Sequence, residues 1–178
     1  MKRTAEQNAM LFNEKFINYE DYWMDKLLGS TMATELMPDF KVKAQQSSKG
    51  EFEIKINDSL KAKLSKLSKN SDLPLYIIVL TALKCLFYSY TENEDTLLYS
   101  PIYEPNKGSE TINEIVAVRD LLNKNMTFKE CLLAVRKTVL EAYDNQDYPI
   151  DKIVEQLDWN NVSGDNMLFN IICLLDSI

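Results

Sequence analysis

Leu73 to Tyr103 reads LPLYIIVLTALKCLFYSYTENEDTLLYSPIY, and this stretch decides the fold class. Its first part is apolar nearly all round and too long for a strand, which predicts a central buried helix opened by Pro74. A polar turn follows, and then DTLLYSPIY, which predicts a buried strand ended by Pro105. A buried helix feeding a buried strand implies a sheet with helices packed on it, an α/β arrangement.

The same alternation continues downstream. EIVAVRDLL predicts a second buried strand. Thr127-Phe128-Lys129-Glu130 has the form of a capping box, in which the Thr hydroxyl and Glu carboxylate each satisfy a free first-turn amide. Behind it Phe128, Cys131, Leu132, Val135, Val139 and Tyr143 share one helical face, so a helix runs to about Tyr143. Pro149 suits the first turn of a short helix through Leu157, and MLFNIICLL predicts an apolar strand near the end.

Upstream, Leu11, Phe12, Phe16, Tyr19, Tyr22, Trp23 and Leu27 recur at helical spacing, and Gly29 stands where such a helix ends. Residues 30–49 lack a period and read as an extended connector. EFEIKIN alternates strictly, with Phe52, Ile54 and Ile56 on one face, and predicts a half-buried strand. Asp58 is placed to cap a helix whose apolar stripe is Leu60, Leu64 and Leu67, with lysines 61, 63 and 66 in water. Without repeats or low-complexity segments, residues 1–178 read as one domain.

A formal charge of −7 opposes the positive field that phosphate binding needs, which argues against a nucleic-acid partner. Cys85, Cys131 and Cys173 are far apart in apolar runs and read as free buried thiols. The start MKRTAEQNAM has no apolar signal core, and the longest apolar run is interrupted by Lys84 and shorter than a bilayer span. These readings predict a soluble, cytoplasmic protein without a membrane partner. The chain contains no histidine, which removes every mechanism needing an imidazole base or imidazole metal ligand within it. Phosphate loops, paired cysteines at zinc spacing and G-x-S-x-G elbows are absent from the sequence, so no catalytic, cofactor or metal residue is assigned.

One polar turn remains, in AYDNQDYPIDKIVEQL from Ala142 to Leu157. Asn145, Gln146 and Asp147 lie between two helices, where short polar side chains cap backbone groups. Tyr148 and Pro149 fix the entry of the second helix. A structural role accounts for all five, with Asp147 the expected cap.

Those residues also carry a resemblance. NQDYPIDKIVEQL resembles the HQDxPFExLVExL motif of condensation domains in nonribosomal peptide synthetases. EDYWMDKLLG, with Tyr22 and Trp23, resembles the YWxxxLxG segment opening the C-terminal half of those domains. The stretch from Leu73 to Ile102 resembles their long buried helix and the strand ending in Ser/Thr-Pro-Ile, here with Pro101. ETINEIVAVR keeps Arg119 of IGxFVNTxxxR but loses the Gly and the Asn-Thr pair, and NMLFNIICLL, with Asn166 and Phe169, resembles NPLFQVMF. The similarity runs from about Tyr19 to Leu175, in order.

The resemblance implies a single chloramphenicol-acetyltransferase-like lobe, a mixed β-sheet with packed α-helices. Three departures bear on function: the half that carries HHxxxDG is absent, the motif His is Asn145, and the Arg-rich segment before the last strand is NNVSGD. What is implied is a noncatalytic, partial condensation domain, expected at the N-terminus of an initiating module and acting as a scaffold. Its implied partners are an adenylation domain, a peptidyl carrier protein or both, with phosphopantetheine on the carrier and no cofactor bound by the lobe. Two alternatives stand beside it: a split enzyme completed in trans by a His-bearing lobe, and an unrelated ligand-binding domain on the same fold. The apolar C-terminal strand is expected either to self-associate or to be covered by Met32, Leu36, Met37, Phe40 and Val42.

Overall fold

The structure, a computed structural model, describes residues 14–30, 50–103, 111–159 and 171–175. The connector expected over 30–49 and the family-motif residues Asn166 and Phe169 lie outside them, apart from Ser30. The elements run α1 (Glu14–Leu27), α2 (Asp58–Ser68), α3 (Asp72–Thr91), β1 (Asp95–Pro101), β2 (Ile115–Leu121), α4 (Phe128–Asp144) and α5 (Ile150–Gln156).

β1 and β2 pair antiparallel, from Asp95 opposite Leu121 to Pro101 opposite Ile115. On the other edge of β1, Tyr99 bridges Ile172 in parallel, its N–H donating to Ile171 O at 3.0 Å and its carbonyl accepting from Cys173 N at 2.9 Å. The sheet is therefore mixed. Period-two alternation along the strands divides the core between its two faces. Leu97, Tyr99 and Ala117 join Phe16, Trp23 and Leu27 of α1, Ala142, Tyr148, and Ile153 and Val154 of α5. Leu98 and Val118 face the other way, onto Tyr76, Ile77, Leu80 and Phe87 of α3 and Val135 and Val139 of α4.

α1 ends as its glycine foretold: Gly29 takes φ +69°, a left-handed conformation that costs a glycine little. The capping box at Thr127 is complete, with Glu130 N donating to Thr127 Oγ1 and Thr127 N donating to Glu130 Oε2 at 2.7 Å.

Five expectations need correction. α3 starts at Asp72, two residues before Pro74, and reaches Thr91, so its 20 residues are long and apolar enough to cross a membrane by length and composition. Among the described residues only one face is buried, the one that packs on β1, β2 and α4, while Val79, Leu86 and Tyr90 are exposed. EFEIKIN forms no helix and joins no ladder among the described residues, and Phe52, Ile54 and Ile56 lie in water. The cap of α2 is Asn57, whose Oδ1 accepts from Leu60 N at 2.9 Å, and Asp58 is instead the first helical residue; Leu60 and Leu67 are exposed. Finally, the segment at 171–175 is apolar on both sides in sequence, yet buries Cys173 and exposes Ile172 and Leu174, since among the described residues it packs only on the face turned to α3 and α4.

Candidate functional site

The turn Asn145–Pro149 follows α4 directly and enters α5, and the rest of the lobe grips it from three directions. From α1, the buried Trp23 donates its indole Nε1–H to Asn145 O at 2.9 Å. From the end of β1, Tyr103 clasps Gln146 twice, its N–H donating to Oε1 at 2.8 Å and its carbonyl accepting from Nε2 at 2.9 Å. From the residues ahead of β2, Asn113 donates Nδ2–H to Gln146 O and Tyr148 O, both at 2.6 Å, while its Oδ1 accepts Ile150 N at 2.9 Å. That last bond caps α5.

Asn113 thus does what was expected of Asp147, which is exposed at the tip of the turn. The reason is reach: the backbone at 146–150 faces the core, where a side chain from the residues ahead of β2 meets it and one on the tip does not. Asn145, at the position of the family His, donates Nδ2–H to Glu141 O at 2.8 Å and so caps α4. Tyr148 is buried and donates its hydroxyl to Gln156 Oε1 at 3.1 Å, and Pro149 is buried as the N-cap of α5. Tyr22 meets Trp23 edge-on with ring centroids 4.9 Å apart; burial, then the carboxylates of Glu141, Asp120 and Asp144, raise its phenol above the ordinary value.

Arg119 lies apart from this turn. Its guanidinium takes Asp95 in both oxygens at 2.8 Å, and Nη1 donates to Lys26 O at 3.0 Å and Leu28 O at 2.9 Å. It caps the carbonyl end of α1 and locks β1 to β2. Pro101 ends β1 beside Ser100, whose Oγ shares a hydrogen bond with Tyr143 Oη at 3.1 Å; Tyr143 stacks on Tyr103 at 5.7 Å.

Lys84, in sequence a mere interruption of an apolar run, proves central. It is fully buried, donates to Thr96 O at 3.0 Å and Val118 O at 2.7 Å, and forms an ion pair with Asp120 Oδ2 at 3.0 Å. Burial lowers its pKa, and Asp120 works against that shift. Thr138 donates to Asp120 Oδ1 at 2.6 Å and accepts from Lys26 Nζ at 3.1 Å. A lone lysine inside an apolar helix was the available signal; its partner on a distant strand was not visible from spacing.

Two clefts open on the described surface. One of about 260 Å³ is lined by Cys85, Tyr88, Phe128 and Cys131, the other of about 200 Å³ by Tyr76, Ile102, Tyr103 and Tyr143. Both are below the roughly 300–1,000 Å³ typical of small-molecule sites. In the first, burial and the neighbouring Cys131 thiol push the Cys85 thiol up to about 11.

The family model described as Condensation domain matches residues 4–177. One of the linear gramicidin synthase proteins of Brevibacillus parabrevis is 35% identical over 178 residues, covering 96% of this chain and 3% of that protein. Bacitracin synthase 3 of Bacillus licheniformis is 30% identical over 166 residues, covering 89% of this chain and 3% of that protein. Among solved structures, the starter condensation domain of rhizomide synthetase aligns with a TM-score of 0.59 at 13% identity, over 94% of this chain and 36% of that one. The complex of the X-domain and OxyB from teicoplanin biosynthesis gives 0.69 at 24%, over 85% and 36%. The chain thus spans a small fraction of its curated relatives and a little over a third of these solved chains.

Proposed function

Because the chain belongs to the condensation-domain family, we propose that it works as a noncatalytic lobe of a nonribosomal peptide synthetase in the cytoplasm, a scaffold for an adjacent adenylation or carrier domain. One observation carries the reading: the motif turn spends its polar groups on the lobe itself. Asn145 caps α4 and receives Trp23, Gln146 is clasped by Tyr103, and Asn113 holds the backbone of 146, 148 and 150. A general base must reach the proton it removes, and the chain has no histidine to do so. The turn's exposed carboxylate, Asp147, is the group it presents to a partner.

The test pairs two measurements on the full chain. Native mass spectrometry with an adenylation domain and a phosphopantetheine-loaded carrier should show a complex. Incubation with two carrier-bound aminoacyl thioesters should give amide at the buffer rate. Product that appears only when a His-bearing lobe is added would replace this reading with that of a split enzyme, and absence of any complex would remove the scaffold role.

A further inference from the structure

Residues 50–57 carry no helix, turn or bend and lead directly into α2, with Asn57 in the extended region, and among the described residues the backbone of 51–56 pairs with no other strand. Phe52, Ile54 and Ile56 are 86%, 76% and 53% exposed. Such a row of free amides and carbonyls, with apolar side chains on one face, is a template for strand addition.

The sequence of this strand selects its own partner. Laid antiparallel on a second copy with Ile54 opposite Ile54, it places Phe52 opposite Ile56 twice on one face. On the other face Glu53 falls opposite Lys55 twice, and Glu51 opposite Asn57. Every facing pair is then apolar with apolar or acid with base or amide, and opposed charges across a ladder are favourable whereas like charges are not. Shifting the register by one residue sets apolar side chains on the polar face and loses both charge pairs. A two-fold axis through Ile54 makes the contact isologous and closed, so it stops at two chains. α2, which starts at the next residue, leaves Leu60 and Leu67 exposed as well.

We infer that residues 51–57 form a dimerisation strand, pairing antiparallel with the same strand of a second copy through a register centred on Ile54. This contact is separate from any role of the motif turn.

Sedimentation velocity over a concentration series of the full chain should show a monomer–dimer equilibrium. Glu53→Lys alone and Lys55→Glu alone each bring like charges opposite one another twice, and each should weaken the dimer about tenfold or more. Mixed together, the two variants regain opposite charges at both positions and should form a heterodimer near the wild-type affinity. Circular dichroism should be unchanged, as both residues are exposed. A chain that stays monomeric throughout overturns the inference. So does a dimer indifferent to both charge reversals, which would place association at another surface such as the segment at 171–175.

Discussion

Lys84 Nζ stands 3.0 Å from Asp120 Oδ2 with both side chains closed off from solvent. Around this pair, α3 is tied to β1 through Thr96, to β2 through Val118 and Asp120, and onward through Thr138 to α4 and Lys26 of α1. Removing one partner strands a buried charge. Asp120→Asn and Lys84→Met should each cost about 3–5 kcal/mol, while the double variant should cost clearly less than their sum. Urea unfolding of the four proteins measures the coupling; additive losses would mean that the pair does not act as a unit.

Asn113→Ala should destabilise the lobe by about 1–3 kcal/mol, because it leaves Gln146 O, Tyr148 O and Ile150 N without their shared partner. Asp147→Ala should stay within about 0.5 kcal/mol, as expected of an exposed residue away from caps and cores. The two thermal melts, run side by side, decide which side chain caps α5.

Arg119→Lys preserves charge but loses the two-pronged grip on Asp95 together with the caps on Lys26 O and Leu28 O. A loss of about 1–3 kcal/mol is expected, as for hydrogen bonds to a charged group. Hydrogen exchange should speed up at the end of α1; equal protection in both proteins would show that the guanidinium geometry is dispensable.

Stability should fall as pH rises above about 9. The Cys85 thiol, ordinarily at 9.0, is held at about 11, and burial also raises the phenols of Tyr76, Tyr99 and Tyr143. The folded state therefore binds more protons than the unfolded one in this range, so the contribution is complete below the unfolded values and lost as pH climbs through the folded ones. At pH 8 the Cys85 thiolate fraction should be about a hundredfold below that of an ordinary thiol. Iodoacetamide labelling followed by peptide mass spectrometry reads this directly: labelling of Cys85 as fast as that of the unfolded chain would contradict it.

Local patterns in the sequence gave dependable answers where the stabilising partners were local too. The capping box at Thr127 and the turn at Gly29 close within a few residues, and each stands where expected. Failures came where a side chain is satisfied from afar. Asn113 reaches a helix 37 residues away, Lys84 a carboxylate on another strand, and Tyr103 a glutamine 43 residues on. The alternation in EFEIKIN pointed to a half-buried strand, yet no partner strand stands beside it among the described residues and Phe52, Ile54 and Ile56 are exposed, because alternation cannot say where a partner strand lies.

The indole of Trp23 closes on a carbonyl 122 residues later in the chain, and this sets an order of events during synthesis. At typical elongation rates α1 leaves the ribosome on the order of ten seconds before Asn145 is made. Until then Phe16, Tyr19, Trp23 and Leu27 lack the core partners that Tyr148, Ile153 and Val154 supply from the turn and α5. Final docking of α1 therefore belongs to a late step of folding, after the entropy of closing so long a loop has been met.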